Sequence, residues 1–409
     1  MGVRNGMFTA SESHREYIPG PGVKGRIMLA DGRVPPEEYA GGIRCVYIDP
    51  PFNTGGTFVM RQKRGEKDWA GGGAGLTLPA YTDRSGSREE YHAFLGALIR
   101  SAYALLDGKG VFFLHLDPRE SAAARILCDW VFGADHFVNE IVWAYQSGGR
   151  TVKRFPAKHD TILFYRKGKQ MDFNLKAVPL PREGNRHNHM RRQVDENGRA
   201  FRTIRSGGRI YTYYDDDPVY PGDVWTDISH IQQKDPQRTG YDTQKPLKLL
   251  ERVFLPVTSP GDPVADLCCG SGTAGAAAAA LGRPFLLTDI SPLAVLTARR
   301  RLIRCSLTVD MPAENVGGGI LCDCEREGDR ERFFLKAYRP EGEEERGTDL
   351  ADTWAVGELR DGVFTASAVS CRSREQPALL PFLEMPLSPF SAVEITDVYG
   401  RRSVWTRRE

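Results

Sequence analysis

The segment that most constrains the fold is the alternation of strands and helices in residues 263–303. A short apolar strand leads into a glycine turn and an alanine-rich helix, and a second strand ending in an acid leads into a second helix. Strands that alternate with helices pair in parallel, because the helix carries the chain back across the sheet. The segment therefore predicts an α/β domain built on a largely parallel sheet.

Length and composition limit the function classes. The chain has 409 residues, of which 41% are hydrophobic, so we expect one large domain with appendages. Its eight cysteines include no C-x-x-C pair, which favours reduced thiols in a cytoplasm and no metal. No apolar run approaches the ~20 residues of a membrane span. A net charge of +2 neither requires nor excludes a nucleic-acid partner.

A glycine loop follows the first strand of this alternation. In ADLCCGSGTAG the strand runs into Gly270-Ser271-Gly272-Thr273, and a helix begins there. The glycines allow a ligand to approach the backbone, and the helix start offers free N–H groups to an anion. Asp289 ends the next strand, where its carboxylate can accept ribose hydroxyls. The loop fits NAD and S-adenosylmethionine equally, and close helix packing is a third interpretation.

A second motif, Asp49-Pro50-Pro51-Phe52, follows the buried strand IRCVYID at 43–49. An exocyclic aryl amine is a weak nucleophile, because its lone pair is delocalised into the ring. A carboxylate and a backbone carbonyl freed by the prolyl turn can accept its two N–H bonds and localise that lone pair. Phe52 offers a flat face to an unstacked base. A strand-ending turn with a packed phenylalanine is the alternative interpretation.

Together the two motifs resemble the amino-methyltransferases of DNA, in which D-P-P-[YF] and F-x-G-x-G mark the substrate and cofactor sites. The tetrad precedes the glycine loop, which resembles the circularly permuted beta class of N6-adenine and N4-cytosine enzymes. The likeness covers residues 40–305, and IDPPFNTG is similar to type III restriction-modification methylase subunits. The other similar segments are FLHLDPRE (113–120), FGADHFVNEIVW (132–143), KHDTILFYRKG (158–168) and GYDTQKPLKLLERVF (240–254).

This resemblance implies a Rossmann-like sheet, S-adenosylmethionine as cofactor, and a role for each matching residue. The implied catalytic residues are Asp49, Pro50, Pro51 and Phe52. The implied cofactor-binding residues are Asp266, Cys268, Gly270, Gly272, Thr273 and Asp289, with Gln244, Lys245 and Pro246 closing over the cofactor. In one departure, Cys268 stands where the family usually has an aromatic, so a packing surface against the cofactor is missing.

The resemblance and the composition together predict a division of the chain. The expected parts are a catalytic half (1–168), a target-recognition insertion (169–240), a cofactor-binding half (241–308), a linker (309–346) and a small β appendage (347–409). The appendage is expected to hold two hairpins, and the cofactor half is expected to be complete without it. The glycine-rich residues 59–87 are predicted to form a long loop that acts as a lid.

The insertion is rich in arginine, which suits contacts with phosphates, although a solvated basic loop has the same composition. The candidate DNA-binding residues are Arg182, Arg186, Arg191, Arg192, Arg199, Arg202, Arg205 and Arg209.

The expected reaction is methylation of the N6 amine of a flipped-out adenine in double-stranded DNA, because an Asp-led tetrad goes mainly with adenine in this family. N4-cytosine methylation, RNA methylation and an inactive DNA-binding subunit are the alternatives. A restriction or specificity subunit and a second copy of the chain are candidate partners, in the cytoplasm of a bacterium or archaeon or from a phage.

Overall fold

The fold is organised around one continuous sheet of fifteen strands. The computed structural model describes residues 4–5, 8–83, 86–145, 151–181, 191–344 and 347–407. The helices are α1 Gly65–Trp69, α2 Arg88–Leu105, α3 Pro118–Phe132, α4 Leu247–Phe254, α5 Thr273–Ala280 and α6 Pro292–Leu302. None of these helices is both long and apolar enough to cross a membrane.

The strands of the first half of the chain are β1 Arg4–Asn5, β2 Phe8–Ser11, β3 Arg15–Ile18, β4 Lys24–Leu29, β5 Ile43–Ile48, β6 Thr57–Gln62, β7 Leu76–Thr82, β8 Leu106–Leu116, β9 Phe137–Ala144, β10 His159–Arg166 and β11 Arg192–Val194. Those of the second half are β12 Ala200–Ser206, β13 Arg209–Tyr214, β14 Val224–Trp225, β15 Val264–Asp266, β16 Phe285–Asp289, β17 Ser306–Asp310, β18 Gly319–Glu327, β19 Arg330–Arg339, β20 Ala351–Arg360, β21 Val363–Cys371, β22 Leu383–Pro386, β23 Ser391–Asp397 and β24 Arg402–Arg407.

The α/β part of the sheet has the strand order β14-β9-β10-β8-β5-β15-β16-β4-β17. Strands β8, β5, β15, β16, β4 and β17 pair in parallel, and β10 is antiparallel to both of its neighbours. The expected Rossmann-like sheet is confirmed. So is the permuted order, because β5 lies beside β15 although it comes more than 200 residues earlier.

The strands of this sheet are buried on both sides because helices cover both of its faces. One core joins α2 and α3 to side chains such as Val46 and Phe112, and the other joins α4, α5 and α6 to side chains such as Tyr47 and Phe113. Helix α5 packs very close to the sheet. A Cβ on its Gly275 would lie 2.7 Å from the Leu287 side chain, so this helix needs small residues.

The glycine-rich segment 59–87 is not the long loop that its composition predicts. Strands β6 and β7 pair antiparallel and enclose the short helix α1, so the segment is a hairpin. The hairpin is fastened to distant backbone at two points near its tip. Arg61 donates its backbone N–H to Gly240 at 2.9 Å, and the N–H of Gly65 reaches the carbonyl of Asp349 at 2.9 Å. Its glycines lie at the tip, where they mask the strand pattern.

The predicted linker 309–346 is also wrong, since β18 and β19 occupy half of it. They form a second sheet, β1-β18-β19-β22, within what we call the C-terminal β region, strands β18–β24. The two expected hairpins are present. The pair β20–β21 turns at Asp361-Gly362, where both residues have positive φ (+50° and +72°), and β23–β24 turns at Tyr399-Gly400.

The C-terminal β region continues the main sheet rather than forming a separate appendage. Strand β3 pairs with β17 on one side and with β21 on the other, and β2 pairs with β24. Strand β3 therefore joins the α/β part to the C-terminal β region, and β2 forms the outer edge of the same sheet. The boundary at residue 346 does not divide two independent sheets.

Four buried charges fasten this junction. Arg299 of α6 donates to Glu16 of β3 at 2.6 Å and contacts Glu394 of β23 at 3.3 Å. Arg402 of β24 donates to Glu394 at 2.7 Å and to the carbonyl of Met311 at 2.8 Å. Although burial opposes it, Arg299 holds the pKa of Glu16 below its ordinary value, whereas burial raises the pKa of Glu394. The network links β3, α6 and the β23–β24 hairpin, three segments that lie far apart in the chain.

We predict that Arg402→Met destabilises the protein by about 3–5 kcal/mol, because it leaves the buried Glu394 without its strongest partner. Urea unfolding followed by circular dichroism measures the change. The matched control is Arg360→Met, which breaks an Arg–Glu pair on the surface of the same region and should cost at most about 1 kcal/mol. Equal, small losses in both variants would show that the buried network is dispensable.

Candidate active site

The carboxyl ends of four neighbouring parallel strands face a cavity of about 590 Å³. Strands β5, β15, β16 and β4 lie next to one another in the sheet, and each ends at or just before an aspartate. The four aspartates are Asp49, Asp266, Asp289 and Asp31, and all of them line the cavity. They converge because parallel strands end at the same edge of a sheet.

Most residues implied by the resemblance meet at this cavity. Those that line it are Asp49, Pro51, Gln244, Lys245, Asp266, Cys268, Gly270, Thr273 and Asp289. Pro50, Phe52, Gly272 and Pro246 are not among the described residues of its wall. Gly272 has φ +73°, and a Cβ there would lie 2.8 Å from Ala298, so its role is to start α5 against α6. Pro246 caps the start of α4.

The acid that ends β16 fixes the glycine loop. Asp289 accepts the backbone N–H of Gly270 at 2.8 Å with one oxygen and that of Ser291 at 2.9 Å with the other. Gly270 has φ +48°, and a Cβ there would lie 3.3 Å from the ring of Tyr241. That ring stacks on Tyr81 with centroids 6.3 Å apart. These two tyrosines give the cavity an aromatic wall although Cys268 replaces the family's aromatic.

The cavity is electrostatically suited to a cation. Burial raises the pKa of Asp266 well above its ordinary value and also raises that of Asp289. Among the described lining residues, the only cationic side chains are Arg33 and Lys245, which pair with Asp31 and Asp49. The remaining acids favour the sulfonium and ammonium groups of S-adenosylmethionine and oppose the pyrophosphate of NAD.

The tetrad presents one carboxylate oxygen that the protein itself does not use. Asp49 Oδ2 accepts from Lys245 Nζ at 2.5 Å, whereas Asp49 Oδ1 is buried and has no hydrogen-bond partner among the described residues. The ammonium of Lys245 also lies 5.2 Å from the Phe52 ring centroid. Lys245 was expected to close over the cofactor. It lines the cavity, but its charge is directed at the tetrad.

The turn after the tetrad is held by a residue that sequence reasoning missed. Asp83, at the end of the β6–β7 hairpin, is 1% exposed and accepts the backbone N–H groups of Asn53 at 2.8 Å and Thr54 at 3.0 Å. Asn53 has φ +56°, a left-handed conformation that such hydrogen bonds help to maintain. The hairpin therefore holds the turn that directly follows the tetrad.

Phe52 rests on a buried polar chain. Its ring stacks on the imidazole of His115, with centroids 6.1 Å apart and planes 26° apart. His115 is fully buried between the Tyr47 hydroxyl, 2.7 Å from Nδ1, and Asp160, 3.0 Å from Nε2. Although burial opposes it, the hydrogen bond from His115 lowers the pKa of Asp160 to about 2. These two contacts fix the plane of the His115 ring and thereby that of the Phe52 ring stacked on it.

Two further lining residues come from parts of the chain outside the resemblance. Asp31 follows β4 after one residue, in the same strand-then-acid pattern that marked Asp289, and this signal was available in the sequence. Tyr399 comes from the β23–β24 turn. The turn fits closely, because a Cβ on Gly400 would lie 3.0 Å from the backbone of Pro292 at the start of α6. No sequence pattern indicated that contact.

Comparisons with known proteins agree with this site. The family model of the DNA methylases, N6_N4_Mtase, matches residues 43–300. Type II methyltransferase M.EcaI of Enterobacter cloacae is 24% identical over 304 residues, 63% of this chain and 64% of that protein. DNA adenine methyltransferase YhdJ of Escherichia coli strain K12 is 24% identical over 265 residues, 64% of this chain and 77% of that protein. The Mod subunit of the type III restriction-modification enzyme EcoP15I of Escherichia coli is 26% identical over 141 residues, 32% of this chain and 22% of that protein.

The chain belongs to the N6/N4 DNA methylase family, since the model covers more than half of it. The expected beta-class resemblance is thereby confirmed. Enzymes of this family use S-adenosylmethionine, which the acidic cavity fits. The matched stretch spans less than two thirds of M.EcaI and about a fifth of EcoP15I Mod.

We predict that Asp289→Ala weakens S-adenosylmethionine binding by about 1–3 kcal/mol. The change removes a carboxylate from the cavity and releases the two N–H groups that shape the glycine loop. Isothermal calorimetry measures the affinity, and Asp172→Ala, at an exposed position off the cavity wall, is the control. Unchanged affinity in Asp289→Ala would mean that the cofactor does not use this strand end.

Proposed function

We propose that the protein is an S-adenosylmethionine-dependent methyltransferase that acts on the N6 amine of adenine flipped out of double-stranded DNA. The observation that carries the proposal is the free oxygen of Asp49. It is a buried acceptor without a protein donor among the described residues, at the edge of an acidic cavity that suits the cofactor. Buried acceptors are seldom left unpaired unless a ligand uses them.

The tetrad can activate an amine by hydrogen bonding alone. Asp49 Oδ1 accepts one N–H of the base amine, and the backbone carbonyl of Pro50 is assigned the other, which localises the nitrogen lone pair. Lys245 holds the second oxygen of Asp49 and keeps the carboxylate oriented. Phe52, fixed by His115, stacks on the base.

When bound, S-adenosylmethionine supplies an electrophilic methyl group. The residues that would hold it are Asp266, Asp289 and the glycine loop, and Asp31 and Tyr399 also line the cavity. As the new C–N bond forms, the bond between the methyl carbon and sulfur would break, and S-adenosylhomocysteine, a neutral thioether, would be the leaving group. The amine nitrogen would then be positively charged and have a proton to lose. Asp49 Oδ1, already the partner of that N–H, is the acceptor assigned to it.

We predict that Asp49→Asn lowers the methyl-transfer rate by at least about 100-fold, because an amide cannot replace the charged acceptor. Cofactor affinity should change little, since Asp49 is assigned to the amine. Transfer of labelled methyl groups to unmethylated genomic DNA gives the rate, and calorimetry gives the affinity. Asp107→Asn, at the far end of β8, is the control. Parallel loss of cofactor binding would overturn this division of roles.

Adenine is proposed over cytosine on two grounds. An Asp-led tetrad goes mainly with adenine in the resembled family, and one relative, YhdJ, is named as a DNA adenine methyltransferase. The large face of Phe52 suits a purine, although it also accommodates a pyrimidine. Digestion of the methylated DNA and mass spectrometry test the choice. N4-methylcytosine without N6-methyladenine would refute it, and no modified base at all would favour the inactive DNA-binding subunit.

DNA contact is proposed for the tip of the β12–β13 hairpin. Three of the candidate arginines are paired with aspartates and are less available to phosphate: Arg192, Arg199 and Arg202. Arg191, Arg205 and Arg209 are exposed and have no carboxylate partner among the described residues, whereas Arg182 and Arg186 lie outside these residues. Exposed tyrosines on β13 add stacking surfaces beside this tip.

We predict that Arg205→Glu and Arg209→Glu each weaken DNA binding and lower the slope of log affinity against log salt by about one. Fluorescence anisotropy across a salt series measures the slope. Arg100→Glu, on the exposed face of α2, makes the same charge change away from the hairpin and should leave the slope nearly unchanged. If all three variants behave alike, the effect is one of net charge and the hairpin does not touch DNA.

The wider role is proposed to be restriction-modification or orphan methylation in a bacterium, an archaeon or a phage. The names of M.EcaI and EcoP15I Mod support restriction-modification. A restriction or specificity subunit, a second copy of the chain and a cytoplasmic location remain parts of the same proposal.

A further inference from the structure

A second cavity, of about 560 Å³, lies beside the first and has the opposite charge. The tip of the β6–β7 hairpin, residues 236–240, helix α6 and residues 373–375 of the C-terminal β region enclose it, and it shares no lining residue with the acidic cavity. Its cationic lining residues are Arg61, Lys63, Arg238, Arg300, Arg301 and Arg374. We call this space the basic cavity.

Most of these cations are not neutralised by the protein. Arg300 pairs with Asp352 at 3.0 Å, and Arg238 lies 3.9 Å from Asp242. The other four have no carboxylate within ion-pair distance in the described parts of the chain: Arg61, Lys63, Arg301 and Arg374. Of the two acids in the wall, Asp68 is buried and accepts the backbone N–H of Arg64 at 2.9 Å, and the other, Glu375, is exposed.

The ring of Trp69 brings two of the cations close together. Lys63 Nζ lies 4.8 Å and the Arg300 guanidinium 5.0 Å from its centroid. The indole Nε1–H is buried and has no acceptor among the described residues. Burial, with repulsion from Arg374 and Arg300, lowers the pKa of Lys63, and burial lowers the pKa of Arg301 to about 10. These cations are held at an electrostatic cost that an anion would relieve.

We propose that the basic cavity binds phosphate groups, supplied either by the DNA backbone or by a free nucleotide. Several guanidinium forks converging on one space match the geometry and charge of phosphate. Four unpaired cations exceed what a single carboxylate can neutralise, which makes an isolated acidic side chain a poorer fit. The proposal goes beyond the methylation reaction, which uses only the acidic cavity, and only its DNA arm rests on the proposed function.

The basic cavity also contacts the cofactor loop. Arg301 donates to the Thr273 hydroxyl at 3.0 Å and to the carbonyl of Ser271 at 3.3 Å, and both of those residues line the acidic cavity. Residues 237–239 are in turn hydrogen-bonded to Gln244. A phosphate bound beside Arg301 would therefore lie directly behind the loop that holds S-adenosylmethionine.

The test uses sodium pyrophosphate as the probe and the full-length chain. Calorimetry should detect pyrophosphate binding to the wild type and at least about tenfold weaker binding to Arg374→Glu and to Lys63→Glu. Arg100→Glu should bind as the wild type does. Arg374 is exposed and unpaired, so its reversal should not disturb the fold, and unchanged S-adenosylmethionine affinity verifies this in each variant. Equal pyrophosphate affinity in all four proteins would overturn the proposal.

The source of the phosphate is decided by competition. If the DNA backbone supplies it, duplex DNA should displace pyrophosphate, and Arg374→Glu should lower the salt slope of DNA binding by about one. If a free nucleotide supplies it, ATP should displace pyrophosphate while DNA affinity stays the same in Arg374→Glu. Absence of pyrophosphate binding to the wild type, with an unaltered salt slope in the variant, would refute both sources. Failure of methyl transfer alone would not affect this result.

Discussion

The parallel register of β5, β15, β16 and β4 is the constraint on which the site depends. It places four aspartates at one sheet edge, where their carboxylates face the same cavity. Burying these carboxylates close together is costly in the protein alone: burial, with repulsion from Asp49 and Asp289, raises the pKa of Asp266. Lysine and arginine side chains offset two of the charges, and a cationic cofactor can offset the remainder. The negative charge of the cavity favours S-adenosylmethionine over NAD, whereas the glycine loop by itself fits both cofactors.

The sequence predicted those parts of the fold whose signals are local. Strand-then-acid and strand-then-glycine patterns placed Asp49, Asp266 and Asp289 correctly at the cavity, because each pattern lies within a few residues. Asp31 was missed although β4 carries the same signal. Its place in the cavity depends on β4 pairing with β16, some 260 residues later in the chain, and such pairing cannot be derived from one sequence.

Composition could not indicate the contacts that distant parts of the chain make with one another. Glycine-rich residues 59–87 indicated a loop, yet the segment is a hairpin because β6 pairs with β7 and two points near its tip are fastened to distant backbone. The hairpin then supplies Asp83 to the turn that follows the tetrad. Similarly, the family resemblance implied that Lys245 closes over the cofactor. Only the folded chain shows that its ammonium balances Asp49.

The structural role of the C-terminal β region can also be inferred from its buried charges. The region lies outside the segment that the family model matches, but it carries Tyr399 to the acidic cavity and Arg374 to the basic one. Burying Arg299 and Arg402 against two glutamates would be an expensive way to attach a passive appendage. Such a junction holds its elements in a fixed relation, and both cavities are built across it. The region therefore supplies part of the wall of both cavities, and its sheet is continuous with the one that carries the tetrad.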